Sequence, residues 1–281
     1  MRFSLVLATV NRLKEPLDFL QSLQQQQYRD FEVIVVDQNS GDELEKEVKA
    51  LLPKLFFELK YQRIFPKGLS HARNHGLQFA AGEIVAFPDD DCEYLPDTLA
   101  VVADLLHTHK YLDVVKGRIV DRTGEDSLKR WKRTPFNLKK HQVFFTASSI
   151  TMFVKFRPGM VRFDEDLGAG TYFGSCEDVD LIYRLLKEGE KVAYFPEVRI
   201  YHPNESVREL DRCKINSYGL GFGAYVRKHL SLINILVFVS LLLYHGLMAG
   251  WNLLRFDKEG VLKRIWYLES RLKGFFAYGA R

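Results

Sequence analysis

Three consecutive carboxylates, Asp89, Asp90 and Asp91, directly follow a short apolar run at residues 84–87. The run is typical of a buried strand in a parallel sheet. Ligands of open α/β sheets bind beyond the carboxyl ends of the strands, so we expect the triplet to point into a site. Side chains two apart on an extended backbone share a face, which would let Asp89 and Asp91 converge. Paired carboxylates suit Mg²⁺ or Mn²⁺, and a solvated acidic turn is the alternative.

The rest of the chain contains the elements that would position these carboxylates. We predict strands at residues 3–8, 31–36, 55–64, 84–87, 113–120, 144–154, 191–195 and 198–201. We predict helices at residues 16–26, 43–52, 68–80, 96–107 and 179–187. The alternation of strand and helix in the first half predicts right-handed βαβ units. The expected fold class is therefore α/β and Rossmann-like, with a mostly parallel sheet that has helices on both faces.

Polar residues follow several of these strands and would meet at one edge of the sheet. Thr9 follows the first strand, Asp37 the second, and the acidic triplet the fourth. Asp37 is placed to accept hydrogen bonds from a base or a ribose, or else to start a turn at residues 37–41. Arg73, in the third helix, offers a planar cation for a diphosphate or a base edge, and a surface arginine is the alternative.

The order of these motifs resembles the family 2 glycosyltransferases, which have the GT-A fold. The matching segments are residues 9–12, 36–40, 72–76, 89–91 and 174–184, so the resemblance covers about residues 3–203. It implies an inverting, metal-dependent transfer of a sugar from a nucleotide donor. The positions that it implies for donor binding are Thr9, Asn11, Arg12, Asp37, Arg73, Asp89 and Asp90. The positions that it implies for Mn²⁺ or Mg²⁺ are Asp91, Asp89 and, as an additional metal or diphosphate ligand, His202.

The motif at residues 174–184 also contains the candidate catalytic base. Glu177 and Asp178 stand at the start of a predicted helix, where carboxylates commonly cap the helix and oppose its dipole. An inverting transfer needs a group that takes the proton of the acceptor hydroxyl. By family position the resemblance makes Asp178 this base and Glu177 its orienting neighbour. His202 could equally be a structural histidine.

The chain of 281 residues is long enough for one large or two modest domains. We expect a catalytic domain at residues 1–205 and a helical tail at 206–281. The formal net charge is +4, and the residues from 207 onward carry 12 Lys and Arg against 5 Asp and Glu. A basic tail favours an anionic partner, either membrane lipid or nucleic acid. No nucleic-acid recognition motif accompanies it, which favours lipid. Three cysteines without a CxxC spacing fit a reducing cytosol.

Residues 230–254 lack Lys, Arg, Asp and Glu, and this stretch is long enough to span a bilayer. Basic residues flank both of its ends, which argues against a simple spanning helix. We therefore expect a helix that lies in or re-enters the membrane interface, followed by an amphipathic helix near 262–276. A buried hairpin or a homo-oligomer face is the soluble alternative.

The resemblance and the tail together imply an enzyme at the cytoplasmic face of the plasma membrane, peripheral or monotopic, in bacterial surface-polysaccharide assembly. It would move a sugar from a nucleoside-diphosphate sugar, by family preference a UDP-sugar, to a glycan or lipid-linked acceptor. The basic, aromatic stretch at 129–133 is either an acceptor contact or a solvated loop, and Ser148 and Ser149 are further acceptor candidates. The alternatives are a polyprenyl-phosphate sugar transferase and a non-catalytic module that binds a sugar nucleotide or a glycan.

Overall fold

The computed structural model describes residues 1–157, 159–203 and 211–279. The chain divides into two compact units. The first contains Met1–Phe163 and Leu181–Glu205, and the second contains Asp164–Asp180 and Ser206–Arg281. The boundary that the sequence predicts, between residues 205 and 206, lies outside the described residues.

The strands of the described chain form one mixed sheet. They are β1 (Phe3–Thr9), β2 (Phe31–Asp37), β3 (Glu58–Arg63), β4 (Ile84–Ala86), β5 (Glu93–Tyr94), β6 (Val114–Val120), β7 (Phe136–Asn137), β8 (Met152–Lys155) and β9 (Val192–Tyr201). The spatial order is β3-β2-β1-β4-β8-β6-β9-β5, and β7 also pairs with β9. Strands β1 to β4 pair in parallel, whereas β8 runs antiparallel to both β4 and β6.

Helices connect these strands, and three longer helices follow near the end of the chain. In chain order, the helices are α1 (Lys14–Ser22), α2 (Glu43–Leu51), α3 (Leu69–Leu77), α4 (Thr98–Thr108), α5 (Val143–Thr146), α6 (Glu177–Glu188), α7 (Arg212–Lys228), α8 (Leu232–Leu254) and α9 (Lys258–Ala277). The α/β fold class expected from the sequence is confirmed, with helices on both faces of the sheet.

The alternation of side chains along β1 explains why both faces are covered. Leu5 and Leu7 lie in the same buried cluster as Phe19 of α1 and Leu99 of α4. The intervening Val6 points the other way, toward α3. A Cβ added to Gly76 of α3 would lie 2.5 Å from Val6 Cγ1, so glycine permits this close packing. Both faces of β1 are buried, as expected for a central strand between helical layers.

The segment at residues 144–154 differs from the single strand that its β-branched and aromatic composition predicts. It contains α5, a 3₁₀ turn at Ser149–Thr151, and only then β8. The Thr146 hydroxyl donates to the Gln142 carbonyl at 2.8 Å, and the Thr151 hydroxyl donates to the Ser148 carbonyl at 3.0 Å. Such local hydroxyl-to-backbone bonds offer the chain an alternative to the strand ladder. The strand prediction is therefore wrong for most of this segment.

Two short strands predicted at 191–195 and 198–201 form one continuous strand, β9. Pro196 lies inside it, and the β6–β9 register shifts between Lys116 and Arg118. Arg118 Nε donates to the Pro196 carbonyl at 2.9 Å, so a side chain bonds the backbone at the irregularity. A bulge explains why a proline is tolerated within this strand.

Close packing between α7 and α9 organises the second unit. Gly219 and Gly223 of α7 lie against α9, where a Cβ at Gly223 would be 2.2 Å from the Arg271 carbonyl oxygen. On α9, a Cβ at Gly274 would be 2.1 Å from the Leu220 carbonyl oxygen. Small residues four apart let two helix backbones approach closely, and here both helices supply them. The sequence pattern predicts α8 and α9 but misses α7, because its three glycines weaken the helical signal.

Side-chain caps define where the three C-terminal helices begin. Asp211 accepts from Lys214 N at 2.7 Å before α7, and Ser231 accepts from Asn234 N at 3.2 Å before α8. Asp257 accepts from Gly260 N at 2.9 Å before α9. Each of these bonds satisfies one amide that the first turn leaves unpaired.

Candidate active site

The acidic triplet forms a turn beyond the end of β4. The Cys92 N–H donates to the Asp89 carbonyl at 3.2 Å, which closes the turn around Asp90 and Asp91. The argument from an extended backbone is therefore wrong, since the turn brings the carboxylates together. One ligand atom each from Asp89, Asp91 and His202 lie within 4.8 Å of one another. Two carboxylate oxygens and an imidazole nitrogen form a donor set that fits Mn²⁺ or Mg²⁺.

The last residue of β1 and the loop that follows it hold two of the three carboxylates. The Thr9 hydroxyl donates to Asp90 Oδ2 at 2.6 Å, and Arg12 Nη1 lies 2.6 Å from Asp90 Oδ1. The same Arg12 nitrogen lies 2.7 Å from Asp91 Oδ2. Asn11, between these two donors, has a φ of 57°, a left-handed conformation that asparagine tolerates. The loop after β1 therefore neutralises part of the charge on the acidic turn.

The backbone carbonyl of the next residue orients His202. Its Nδ1 lies 2.7 Å from the Pro203 carbonyl oxygen and its Nε2 lies 3.3 Å from Asp91 Oδ1. A proton on Nδ1 that is donated to the carbonyl frees Nε2 to act as a ligand, which is the tautomer that a metal-binding histidine uses. When the ring is fully protonated, Nε2 donates to Asp91 instead. The geometry thus fits a histidine ligand.

Asp90 and Asp91 differ in their pKa values. Burial raises the pKa of Asp90 to about 6, against the opposing hydrogen bond from Thr9 and the charge of Arg12. Burial acts the same way on Asp91, but hydrogen bonds from His202 and Arg12 outweigh it and hold the Asp91 pKa well below its ordinary value. The pKa of His202 is raised, because its bond to Asp91 outweighs burial. Of Asp90 and Asp91, it is therefore Asp91 that stays ionised and available as a ligand.

Arg73 is buried in this structure and contacts the third carboxylate. Its Nη2 lies 2.9 Å from Asp89 Oδ1 and 3.0 Å from the Ser149 hydroxyl oxygen. Its guanidinium carbon lies 5.2 Å from the centre of the Phe163 ring. Arg73 thus positions Asp89, and its direct contact with a base or ribose stays a prediction. Ser149, an acceptor candidate from the sequence, lies on the 3₁₀ turn that contacts Arg73.

Asp37 lies at the end of β2, in register with Thr9 of β1. Its Oδ1 accepts from Asn39 N at 2.8 Å and its Oδ2 accepts from the Tyr61 hydroxyl. The first bond is the side-chain-to-backbone contact of an Asx turn. Asn39 Nδ2 in turn donates to the Arg12 carbonyl at 3.0 Å, which connects the loops after β1 and β2. The donor role of Asp37 stays a prediction. Sequence patterns did not reveal Tyr61.

The basic, aromatic stretch at residues 129–133 is partly structural. Trp131 is buried, its indole N–H donates to the Ser127 carbonyl at 3.1 Å, and its ring stacks on Tyr194. Lys129 lies over the Trp131 ring, with its Nζ 4.3 Å from the ring centre. The aromatic member of this stretch therefore packs into the first unit.

Asp178 and Glu177 lie in the second unit, on the first turn of α6. Asp178 Oδ1 accepts from Val179 N at 2.7 Å, so the carboxylate caps its own helix, and among the described residues no hydrogen bond occupies its other oxygen. Cys176, just before, has a φ of 69°, and Glu177 is buried. The capping interpretation and the base interpretation are compatible, because they use different oxygens.

A buried ionic network in the second unit supports the same turn. Asp180 is fully buried, and its Oδ1 lies 2.7 Å from both Lys228 Nζ and His229 Nε2. Lys228 also lies 2.6 Å from Asp164 Oδ2, which accepts from the Tyr278 hydroxyl at 3.0 Å. Sequence analysis missed this network, whose only local signal is an acidic residue on the apolar side of α6.

Comparisons with known proteins bear on the class of protein that this fold and acidic turn define. The chain has the GT-A fold: it superposes with a TM-score of 0.62 and 17% identity on S. aureus TarS 1-349, covering 100% of this chain and 93% of that one. A mannosyltransferase from Pyrobaculum calidifontis, solved with GDP-Man and Mn²⁺, gives a TM-score of 0.65 at 17% identity, covering 98% of this chain and 87% of that one.

The family model described as Glycosyl transferase family 2 matches residues 4–167. The chain belongs to glycosyl transferase family 2 and is a glycosyltransferase. A similar curated protein is the Campylobacter jejuni GalNAc(5)-diNAcBac-PP-undecaprenol beta-1,3-glucosyltransferase, 35% identical over 125 residues, which are 44% of this chain and 40% of that protein. A PGL/p-HBAD biosynthesis glycosyltransferase of Mycobacterium bovis is 33% identical over 122 residues, or 43% and 48%. The matched part spans less than half the length of these relatives.

Proposed function

We propose that this glycosyltransferase moves a sugar from a nucleoside-diphosphate sugar, by preference a UDP-sugar, to a hydroxyl of a glycan or lipid-linked acceptor with inversion. The observation that carries the proposal is the convergence of Asp89, Asp91 and His202 within 4.8 Å at the carboxyl edge of the parallel strands. Solved neighbours support the donor class, since TarS was crystallised with UDP and with UDP-GlcNAc.

A divalent cation belongs to this proposal as the partner of the donor's diphosphate. Asp89, Asp91 and His202 would hold it, with Arg73 and Arg12 fixing the two carboxylates. When bound, Mn²⁺ or Mg²⁺ neutralises the charge that develops on the departing nucleoside diphosphate. The neighbour from Pyrobaculum calidifontis was solved with Mn²⁺, which supports this choice of metal.

Asp178 is the proposed general base. The acceptor hydroxyl gives its proton to the Asp178 oxygen that does not cap α6, while its oxygen forms the new bond to the anomeric carbon. The bond from that carbon to the diphosphate breaks, and its electron pair leaves with the nucleoside diphosphate. A positioned carboxylate typically contributes about 10²–10⁴-fold in such a step. Glu177 is proposed as the neighbour that orients Asp178.

The acceptor is proposed to be held at a membrane surface, and α8 supports this. Asn234 and His245 are buried on the inner side of α8, whereas Leu243 and Leu247 on its outer side are exposed. Asn234 Nδ2 donates to the His229 carbonyl at 2.7 Å, so the polar face turns toward the protein. The helix is long and apolar enough to cross a membrane. A helix with polar residues inward and apolar residues outward fits lipid better than water.

The name of one relative supports the proposed acceptor class. The name of the Campylobacter jejuni relative specifies an undecaprenol carrier attached through a diphosphate, indicated by PP. A lipid carrier of this kind would reach an enzyme that lies on the cytoplasmic face of the plasma membrane. We therefore propose that this chain acts in bacterial surface-glycan assembly.

Nucleotide release tests the catalytic proposal. Purified protein is incubated with a panel of UDP-, dTDP- and GDP-sugars in Mn²⁺, with and without EDTA, and the freed nucleoside diphosphate is measured. We expect release from one donor class that EDTA abolishes and that Asp91→Asn removes. Asp104→Asn, an exposed carboxylate of α4, is the matched control and keeps activity. Release that is equal in EDTA and in the Asp91 variant would refute the metal-assisted proposal.

Flotation with lipid vesicles tests the membrane proposal. Wild-type protein should float with vesicles that contain phosphatidylglycerol, and Leu247→Glu should reduce the bound fraction severalfold. Tyr111→Glu makes the same kind of change at an exposed apolar residue of the first unit and should leave flotation unchanged. Equal flotation of the Leu247 variant and wild type would exclude α8 as the lipid contact.

A further inference from the structure

Arg271 of α9 is a buried charge in the second unit. Its side chain is largely enclosed, with 8% of the residue exposed. Within residues 1–157, 159–203 and 211–279, neither its Nε nor its Nη1 has a hydrogen-bond partner. Burial of a charged group without a compensating bond is costly, and natural proteins rarely keep one without a use. The proposed roles of Asp178 and of the acidic turn at Asp89–Asp91 do not explain why this guanidinium is buried.

Two aromatic rings hold the guanidinium in place. Its carbon lies 5.1 Å from the centre of the Tyr267 ring and 5.6 Å from that of the Phe222 ring. His245 of α8 stacks on Tyr267 with ring centres 4.6 Å apart. Ring contacts of this kind stabilise the charge and fix the plane of the fork, but they satisfy none of its N–H donors.

Within the described chain, no carboxylate is among the ionisable groups that affect the pKa of Arg271. They are Tyr267 and Arg264 of α9, Cys176 before α6, and His245 of α8. Burial lowers the pKa of Arg271 to about 10, and the positive charge of Arg264 acts in the same direction. Burial, together with the charges of Arg271 and Arg264, also lowers the pKa of His245 to about 4. In the part of the chain that the structure describes, the charge that acts on Arg271 is therefore the like charge of Arg264, and no carboxylate opposes it.

The packing of the second unit brings this charge beside the segment that leads to the candidate base. A Cβ at Gly221 of α7 would lie 2.2 Å from the Ser175 hydroxyl oxygen, and a Cβ at Gly223 would meet the backbone of Arg271. One helix thus contacts residues 173–175 on one side and α9 on the other. Cys176, one of the ionisable groups around Arg271, immediately precedes Glu177 and Asp178.

We propose that Arg271 is an anion subsite that binds a phosphate group of the acceptor. A planar fork of N–H donors matches two phosphate oxygens, and this fork has no carboxylate partner among the described residues. The assignment to the acceptor rests on the proposed function, in which a lipid carrier brings a diphosphate to the enzyme. The donor is the other source of a diphosphate, and the experiment separates the two.

Calorimetry with inorganic pyrophosphate in EDTA tests the subsite in the full chain. Wild type should bind, Arg271→Lys should bind at least tenfold more weakly because it lacks the fork, and Arg271→Met should show no binding. Lys273→Met removes a positive charge from an exposed position of the same helix and should match wild type. Circular dichroism checks that each variant is folded. If the methionine variant does not fold, the lysine variant, which retains the charge, still tests the subsite. Wild type without affinity, or a lysine variant with unchanged affinity, would overturn the subsite.

A second pair of titrations identifies the source of the phosphate. Polyprenyl diphosphate in detergent micelles, compared with the uncharged polyprenol, should lose at least tenfold in affinity in Arg271→Lys. Binding of UDP with Mn²⁺ should stay unchanged in the same variant. The opposite pattern, weaker UDP and unchanged polyprenyl diphosphate, would overturn the acceptor assignment. None of these titrations needs turnover, so failure of the subsite is distinguishable from failure of the catalytic proposal.

Discussion

His202 Nε2 lies 3.3 Å from Asp91 Oδ1, although one residue ends β9 and the other follows β4. β5, which follows the acidic turn, pairs antiparallel with β9 and joins Glu93 to Tyr201. This pairing brings the histidine, which follows β9, close to the carboxylate, which precedes β5. The acidic turn is thus anchored to the sheet at both ends, by β4 and β5, and His202 directly follows β9, which favours a preorganised site.

Removal of either ligand should weaken metal binding to different extents. Asp91→Asn should abolish measurable Mn²⁺ binding, because it removes a candidate ligand whose pKa is held well below its ordinary value. His202→Ala should weaken binding by more than the roughly 10–100-fold that loss of an outer partner of a metal ligand costs. Electron paramagnetic resonance of free Mn²⁺ measures both, with Asp104→Asn as control. Unchanged affinity in His202→Ala would remove His202 from the ligand set.

Thr9→Val should destabilise the fold in a pH-dependent manner. The Asp90 pKa of about 6 exceeds the ordinary value, so the folded state binds a proton that the unfolded state releases. Asp90 therefore favours folding most at low pH, and this contribution is lost as the pH rises through 6. The Thr9 hydroxyl bonds the ionised carboxylate, so its loss should cost about 1.5–3 kcal/mol at pH 8 and less at pH 5.

Urea unfolding in EDTA at the two pH values measures the Thr9 effect. Thr9→Ser keeps the hydroxyl and should retain most of the stability at both pH values. An equal loss in Thr9→Val at pH 5 and pH 8 would show that the hydroxyl does not interact with a titrating Asp90.

Asp178→Asn should separate binding from chemistry. The asparagine carbonyl oxygen can still accept the Val179 N–H, so the helix cap survives while the base is lost. We expect unchanged affinity for UDP with Mn²⁺ and a fall in transfer of about 10²–10⁴-fold. Product formation on a labelled acceptor measures the rate, with Asp166→Asn, an exposed carboxylate of the second unit, as control. A near-normal rate in Asp178→Asn would leave the residue only its capping role.

One substitution, glycine to alanine, should act in opposite directions on two helices of the second unit. At Gly223 the new methyl would lie 2.2 Å from the Arg271 carbonyl oxygen, so α7 and α9 must separate and stability should fall by about 1–3 kcal/mol or more. At Gly246 a new Cβ would meet no packing neighbour of the described chain within 4 Å, and the gain in helix propensity should stabilise α8 by about 0.5–1 kcal/mol. Thermal unfolding monitored by circular dichroism compares the two variants. Equal effects would contradict the close α7–α9 contact.

Much of the fold was predictable because its signals are local. The apolar runs that become β1, β2 and β4, and the amphipathic patterns between them, specify strands and helices from neighbouring residues alone. The acidic triplet after β4 indicated a site because the carboxyl edge of a parallel sheet is where ligands bind. The apolar length of α8 was equally visible in the sequence.

Errors arose where local and distant interactions compete. Threonine hydroxyls that bond nearby carbonyls replaced most of the strand expected at 144–154, and three glycines concealed α7. In α7 the glycines lower helix propensity, but tertiary packing offsets this because only a bare backbone fits against α9. A pattern in one segment does not reveal what the partner segment requires.

The sequence by itself determined the βα order, the acidic turn at Asp89–Asp91 as a candidate site, and the apolar stretch of α8. Only the tertiary structure decided that Thr9 and Arg12 hold Asp90, that His202 faces Asp91, and that Arg271 is buried without a carboxylate partner in the described chain. The reason is physical: backbone periodicity depends on adjacent residues, whereas hydrogen bonds, ion pairs and desolvation depend on which distant side chains the packed sheet and helices bring together.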